Sequence, residues 1–179
     1  MSWCNFINNS IVSKKIINGL ILAYTKYSTR SLEQQDEYMW DAAEFELLTK
    51  EIIPNRSITH IFNHYLKKNS YILEGGCGNG AWIKFLKDEG FNCIGVDINS
   101  EILKVAKEQG LEIKKDNIEQ LSFKENTFDA YLSLGVVEHN IEGPHKAIRE
   151  AHKVLKPGGY FFVSTPCNNL FRKIFNHPL

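Results

Sequence analysis

The chain carries no surplus of charge: 21 Lys plus Arg stand against 21 Asp plus Glu. Without a net field there is no long-range pull on a polyanion, so nucleic acid is not expected as a partner, although a local basic groove is compatible with this balance. Cysteine is sparse, and Cys4, Cys77, Cys93 and Cys167 are widely scattered, with no CxxC pair. That argues against a disulfide frame or a zinc site and for reduced thiols in a cytoplasmic protein. Long apolar runs are lacking as well. The most apolar early stretch, residues 11–24, is broken by Lys14 and Lys15 and is too short to span a bilayer. No small-residue cleavage site follows it, so no signal peptide is expected. It reads as a helix packed on the domain, with a membrane-surface or partner-binding helix as the alternative.

What is present suits one soluble domain with a core of its own: 43% of residues are apolar and 23% charged. Residues 1–69 read as an N-terminal helical segment, expected to pack over the cofactor side. Met39, Ala42, Ala43, Leu47 and Leu48 fall near helical period before Pro54, and a short helix follows over Ile58–Leu66. From about residue 70 onward, strands alternate with helices. Strands are expected at Tyr71–Leu73, Phe91–Val96, Leu111–Lys115, Phe128–Leu134 and Tyr160–Ser164. Helices are expected at Ala81–Glu89, from an N-cap at Ser100 to Gln109, and from Pro144 to about Leu155, with Lys156–Gly159 as a turn. Such alternation predicts a Rossmann-like, doubly wound α/β fold, its parallel sheet covered by helices on both faces.

The strongest local feature is Ile72–Gly80, ILEGGCGNG, at the end of the first of these strands. Ligands of open α/β sheets bind beyond the carboxyl ends of the strands, and glycine lets backbone approach them closely. Alone, the loop is ambiguous. Gly76-x-Gly78-x-x-Ala81 also fits a relaxed dinucleotide fingerprint, with Asp97 at a plausible distance for a ribose carboxylate. Charge separates the two readings. A pyrophosphate at the helix N-terminus would be repelled by Glu74, and no Lys or Arg lies between Tyr71 and Lys84. An acidic, glycine-lined pocket suits a sulfonium and an amine better, although Glu74 also reads as a brace for the loop. Asp97, in GVDIN, is placed to accept both ribose hydroxyls, and Ile98 to pack on an adenine face.

The ordered series ILEGGCGNG, GVDIN, DNIEQLSF, FDAYLSLGVVEH and LKPGGYFFVSTP resembles the motif set of class I methyltransferases. It is most similar to the small-molecule branch that includes ubiquinone/menaquinone-biosynthesis-type enzymes (the type 11 domain), over Tyr71 to Pro166. The resemblance implies strand order 3-2-1-4-5 and S-adenosyl-L-methionine as cofactor. It implies that Glu74, Gly76, Cys77, Gly78 and Gly80 surround the methionine moiety and that Asp97 holds the ribose. Adenine falls to Asp116 or Asn117 with the Ile118 backbone; the family's Asp position is Asn117 here, so either residue is a candidate. Leu134 and Gly135 would line the methionine side. In the Glu138-His139 pair, His139 is a candidate general base or a braced helix-start residue.

The family domain continues into two further strands as an antiparallel hairpin, and residues 70–179 have room for only five strands. The expectation is therefore a C-terminally short core, with self-association through the fifth-strand edge as one way to complete the sheet. Three functions are open at this point. They are methyl transfer to an O, N or C nucleophile of a small molecule, a truncated cofactor-binding module that needs a partner, and a nicotinamide-dependent oxidoreductase. His60 and His64 have metal-compatible i,i+4 spacing but suggest no third ligand, so no metal is expected. Tyr38 and Trp40 are candidates to close over the cofactor or to pack in the core.

Overall fold

The computed structural model describes residues 14–17, 20–23, 42–140 and 142–165. Five strands build one wholly parallel sheet: β3 (Tyr71–Gly75), β4 (Asn92–Asp97), β5 (Ile113–Lys115), β6 (Phe128–Leu134) and β7 (Leu155–Ser164). Their order across the sheet is β5-β4-β3-β6-β7. This is the 3-2-1-4-5 arrangement, and it places the topological switch between β3 and β6, beside the glycine loop. Consecutive residues Ile72 and Leu73 are both fully buried. Both faces must therefore be covered, as parallel strands require.

Two apolar layers do the covering. On one face Ile72, Ala130, Leu132 and Phe162 meet helices α2 (Ser57–Tyr65), α3 (Ala81–Asp88) and α4 (Ser100–Glu108). On the other, Leu73, Val96 and Tyr131 meet α5 (His145–Val154) and the segment carrying Ile118 and Leu121. The first helix, α1 (Ala42–Leu47), runs into a π-helical turn over Leu48–Ile52, where the Ile53 N–H reaches the Leu48 carbonyl at 2.9 Å. Pro54, which has no N–H to offer, stops it.

Three local expectations are corrected. Residues 14–23 hold a β-hairpin rather than a helix: β1 (Lys14–Ile17) pairs antiparallel with β2 (Leu20–Ala23), Ile17 opposite Leu20. In the sequence the dipeptide Asn18-Gly19 lies between the two paired segments, and it is a strong hairpin signal. Helix α4 is capped by Asn99, whose Oδ1 accepts from the Glu101 N–H at 3.0 Å; Ser100 is already the first helical residue. Lys156–Gly159 belongs to β7 as a bulge, since Phe128 pairs with Leu155 but Ala130 with Tyr160. A Cβ on Gly159 would stand 2.9 Å from the Lys156 carbonyl, so the bulge closes only on glycine.

β2 lies against β7, the outer strand of the sheet. Tyr38, Trp40 and residues 166–179 fall outside the described residues, and with them the expectations made there. Among the described residues no helix is long and apolar enough to cross a membrane.

Phe62 ties α2 to the rest of the core. It is 1% exposed and meets Phe162 at 4.8 Å and Trp82 at 5.7 Å, both edge to face. Phe62→Ala is expected to lower unfolding stability by about 3–5 kcal/mol. Urea denaturation measures it; a loss below about 1 kcal/mol would show that α2 is not part of the same cooperative unit.

Candidate functional site

At the carboxyl end of β3 the chain leaves the sheet as Gly75-Gly76-Cys77-Gly78-Asn79-Gly80 and enters α3. The loop is fastened to the end of the neighbouring strand. The N–H groups of Gly76 and Cys77 both donate to the Val96 carbonyl, at 2.8 and 3.0 Å. The Gly78 N–H donates to Asp97 Oδ2 at 3.0 Å. Further on, the Gly80 N–H donates to the Cys77 carbonyl at 2.9 Å, and the Ala81 N–H to Asn79 Oδ1 at 3.1 Å. Gly76 has φ +72°, and a Cβ there would lie 2.5 Å from Val136 Cγ1. At Gly75 a Cβ would lie 2.0 Å from the Tyr131 hydroxyl oxygen. Both positions are closed to any side chain.

Two carboxylates flank this loop. Glu74 is 5% exposed, and its Oε2 has no hydrogen-bond partner. Burial, followed by the negative charge of Asp97, pushes its carboxyl well above the usual carboxylate range. Asp97 uses Oδ2 for Gly78 and Oδ1 for the Asn99 N–H at 2.9 Å. A carboxylate has about four acceptor positions, so each oxygen retains capacity for a hydroxyl donor. Ile98, 67% exposed, presents an apolar surface beside it.

The expected site residues do not all turn the same way. Glu74 and Asp97 lie near enough for their charges to interact, Gly76 and Gly78 are tied to Val96 and Asp97, and Gly80 faces Leu111 and Ala106. Cys77 does not offer its side chain: it is buried, and its Sγ fills the space where a Cβ on Gly95 would otherwise stand, 2.7 Å away. Burial raises its thiol far out of the reactive range, so only its backbone faces the loop. Asp116 is a loop brace. Its Oδ2 accepts from the Ser122 hydroxyl at 2.6 Å and the Ser122 N–H at 3.0 Å, and its Oδ1 from the Asn117 N–H at 3.0 Å. Burial works to raise its pKa, but those hydrogen bonds and the Lys114 charge bring it below the ordinary value.

Asn117 is exposed and holds the Glu119 N–H at 2.9 Å with Oδ1, leaving its amide nitrogen outward. Ile118 is buried beneath Gly75, which leaves its backbone as the group nearest the surface. Beyond β6, Leu134 is half-buried and Gly135 exposed, with φ +74°, its N–H bonded to the Ser164 carbonyl at 2.9 Å. His139 is exposed at the end of a 3-10 turn, Val137–His139.

Sequence reasoning missed three contributors: the cap Asn79, the cap Asn99, and Val136 against Gly76. The Glu138 carboxylate folds back to 3.6 Å from the Cβ position of Gly135, and burial raises its pKa against the lowering effects of its own N–H and of His139. The two asparagines carried a signal, since each stands just before a helix. Val136 carried none, because only the fold brings it to Gly76. Among the described residues no group of three or more His, Cys, Asp or Glu is placed to hold a metal ion.

The chemistry of the cradle discriminates between ligands. The N–H groups of Gly76, Cys77, Gly78, Gly80 and Ala81 are engaged within the protein, and the ionisable groups flanking the loop, Glu74 and Asp97, are acids. An orphaned buried carboxyl oxygen lacks a cationic or donor group. An aminoacyl sulfonium nucleoside such as S-adenosylmethionine fits that need, and a pyrophosphate does not.

Comparison with known proteins agrees. The methyltransferase domain family matches residues 73–163. A ubiquinone biosynthesis O-methyltransferase of Nitrosospira multiformis is 31% identical over 163 residues, covering 87% of this chain and 66% of its own. A tRNA (carboxymethyluridine(34)-5-O)-methyltransferase of Arabidopsis thaliana is 33% identical over 105 residues, covering 58% of this chain and 26% of its own. The chain thus spans from about a quarter to two thirds of the length of these relatives. Among solved structures, a SAM-dependent methyltransferase from Methanosarcina mazei aligns with a TM-score of 0.54 at 31% identity, covering 57% of this chain and 55% of that one. The chain belongs to the methyltransferase domain family, and S-adenosylmethionine is the cofactor its membership implies.

Proposed function

We propose that this domain catalyses methyl transfer from S-adenosylmethionine to an O, N or C nucleophile of a small molecule. The observation that carries the reading is the pairing of two acids, Glu74 and Asp97, with a glycine loop whose N–H groups are turned inward. The cofactor, when bound, supplies a methyl group made electrophilic by its sulfonium. Everything else is positioning by this chain. Asp97 orients the ribose through its remaining acceptor positions, and Ile98 packs on the base. Asn117 takes the adenine edge in preference to Asp116, whose oxygens already hold Ser122 and Asn117. Glu74 faces the cationic end. Gly135, free of a side chain, opens the approach beyond β6.

In-line transfer depends on alignment of nucleophile and methyl, and a base adds to it only when the acceptor must lose a proton first. His139, exposed at the end of its 3-10 turn with Glu138 before it, is assigned as the candidate for such a base. A small-molecule acceptor is favoured over tRNA by the balanced charge and by the more extensive likeness to the quinone-pathway relative, 87% of this chain against 58%. The hairpin at 14–23 and the helices at 42–65 are assigned to holding and covering the core.

Calorimetry should detect S-adenosylhomocysteine and not NAD; tight NAD binding alone would return the loop to the dinucleotide reading. Turnover should release S-adenosylhomocysteine with a panel of small acceptors, and methylation of bulk tRNA alone would overturn the acceptor class. Asp97→Ala should weaken S-adenosylhomocysteine binding about 10–100-fold, the worth of a charge-assisted hydrogen-bond set. Unchanged affinity would remove Asp97 from the ribose.

Gly76→Ala should destabilise by roughly 1–2 kcal/mol from its left-handed backbone alone, and more from the overlap with Val136. Cofactor affinity should fall with it. Thermal unfolding with and without S-adenosylhomocysteine reads both; a fully stable, fully binding variant would contradict the loop geometry.

A further inference from the structure

We propose that cofactor binding in this domain is coupled to proton release: Glu74 is protonated in the unliganded domain and gives its proton to solvent when the cationic ligand seats against it. The inference rests on the cofactor reading above and adds to it a charge state and a direction of pH dependence.

The argument starts from what surrounds the carboxyl. Glu74 is the last but one residue of β3, with Gly95 of β4 and Leu132 of β6 as its strand neighbours. It is 5% exposed, and Oε2 meets neither donor nor solvent. An ionised carboxylate so placed would be a buried charge without compensation, whereas the neutral acid is tolerated. On β4 the ionisable neighbours are Asp97 and Cys93, and in the loop Cys77; none of the three supplies positive charge. β6 brings Leu132 beside it. On α3, Lys84 is paired with Asp88 at the surface, and Lys87 bears on Cys93 rather than on Glu74. Among the described residues, then, nothing cationic answers Glu74, and the nearest charge is a second acid. Burial first and Asp97 second hold its proton on.

A ligand carrying positive charge reverses this balance. It supplies the missing counter-charge inside a site of low dielectric, where one ion pair outweighs many exposed ones. The O–H bond of Glu74 breaks, its electron pair stays on the carboxylate, and the proton leaves to buffer. In the unliganded domain the same group makes stability depend on pH. The folded state holds the proton to higher pH than the unfolded chain does. Glu74's contribution is therefore complete below the ordinary value of 4.5 and is lost as pH rises through its own titration. Cofactor affinity moves the opposite way, rising with pH over that interval.

The test is calorimetry of S-adenosylmethionine binding near pH 6 in buffers of different ionisation enthalpy. An amino group of ordinary pKa, about 7.7–8.0, is fully protonated there and contributes no proton. Up to one proton released per cofactor bound is expected, falling towards zero in Glu74→Gln and reduced in Asp97→Asn, which removes the neighbouring negative charge. A second reading needs no variant to bind. The infrared carbonyl band of a protonated carboxylic acid should be present in the unliganded domain, missing in unliganded Glu74→Gln, and lost from the wild type on ligand addition. Binding without proton release, or no such band before ligand is added, overturns the proton coupling and leaves the cofactor assignment standing. No binding of S-adenosylmethionine by the wild type overturns both.

Discussion

The site depends on how the loop after β3 is tied to the end of β4. Two successive N–H groups, of Gly76 and Cys77, share the Val96 carbonyl, and a third, of Gly78, reaches Asp97. These bonds pull the crossover sideways over the neighbouring strand. They fix the position of Asp97 and place the entry of α3 above Gly95, where the missing side chain makes room for Cys77. They also decide the site's electrostatic character. A similar glycine-rich loop with its N–H groups directed outward is an anion cradle; with them directed inward it is a neutral floor beneath two acids. The same backbone bonds therefore do structural and selective work together.

The sheet that carries this loop has two outer strands, and the chain treats them differently. β5 is only three residues long, and exposed Lys114 and Lys115 sit on it, a combination that discourages pairing with another chain. β7 is long and kinked by its bulge, and the β1–β2 hairpin lies against it.

The parallel core was legible because its signals are local. Short apolar runs bounded by glycine and capping residues mark Tyr71–Gly75, Asn92–Asp97 and Phe128–Leu134, and strand ends mark where Glu74 and Asp97 must sit. Legibility failed where two local signals compete. Residues 14–23 are apolar enough for a helix, yet Asn18-Gly19 between Ile17 and Leu20 is a hairpin signal in the sequence, and pairing of the flanking segments decided the outcome. It failed again where a side chain's direction is a tertiary matter. Cys77 and Asp116 were both candidates to face the cofactor, but packing on Gly95 turns one inward, and Ser122 captures the other. Ser122, six residues along the chain, thus moves an acid from candidate ligand to scaffold.

That reassignment sharpens the role left to Glu74. With Asp116 satisfied by Ser122 and Asn117, and Asp97 partly satisfied by Gly78 and Asn99, Glu74 is the one of these three acids that keeps a buried oxygen without a partner. Functional sites commonly retain such groups at the expense of stability, because a group already satisfied by the protein has little to offer a ligand. On the reading proposed above, such a site binds by relieving a defect that folding leaves in place, and a cationic ligand is what relieves it.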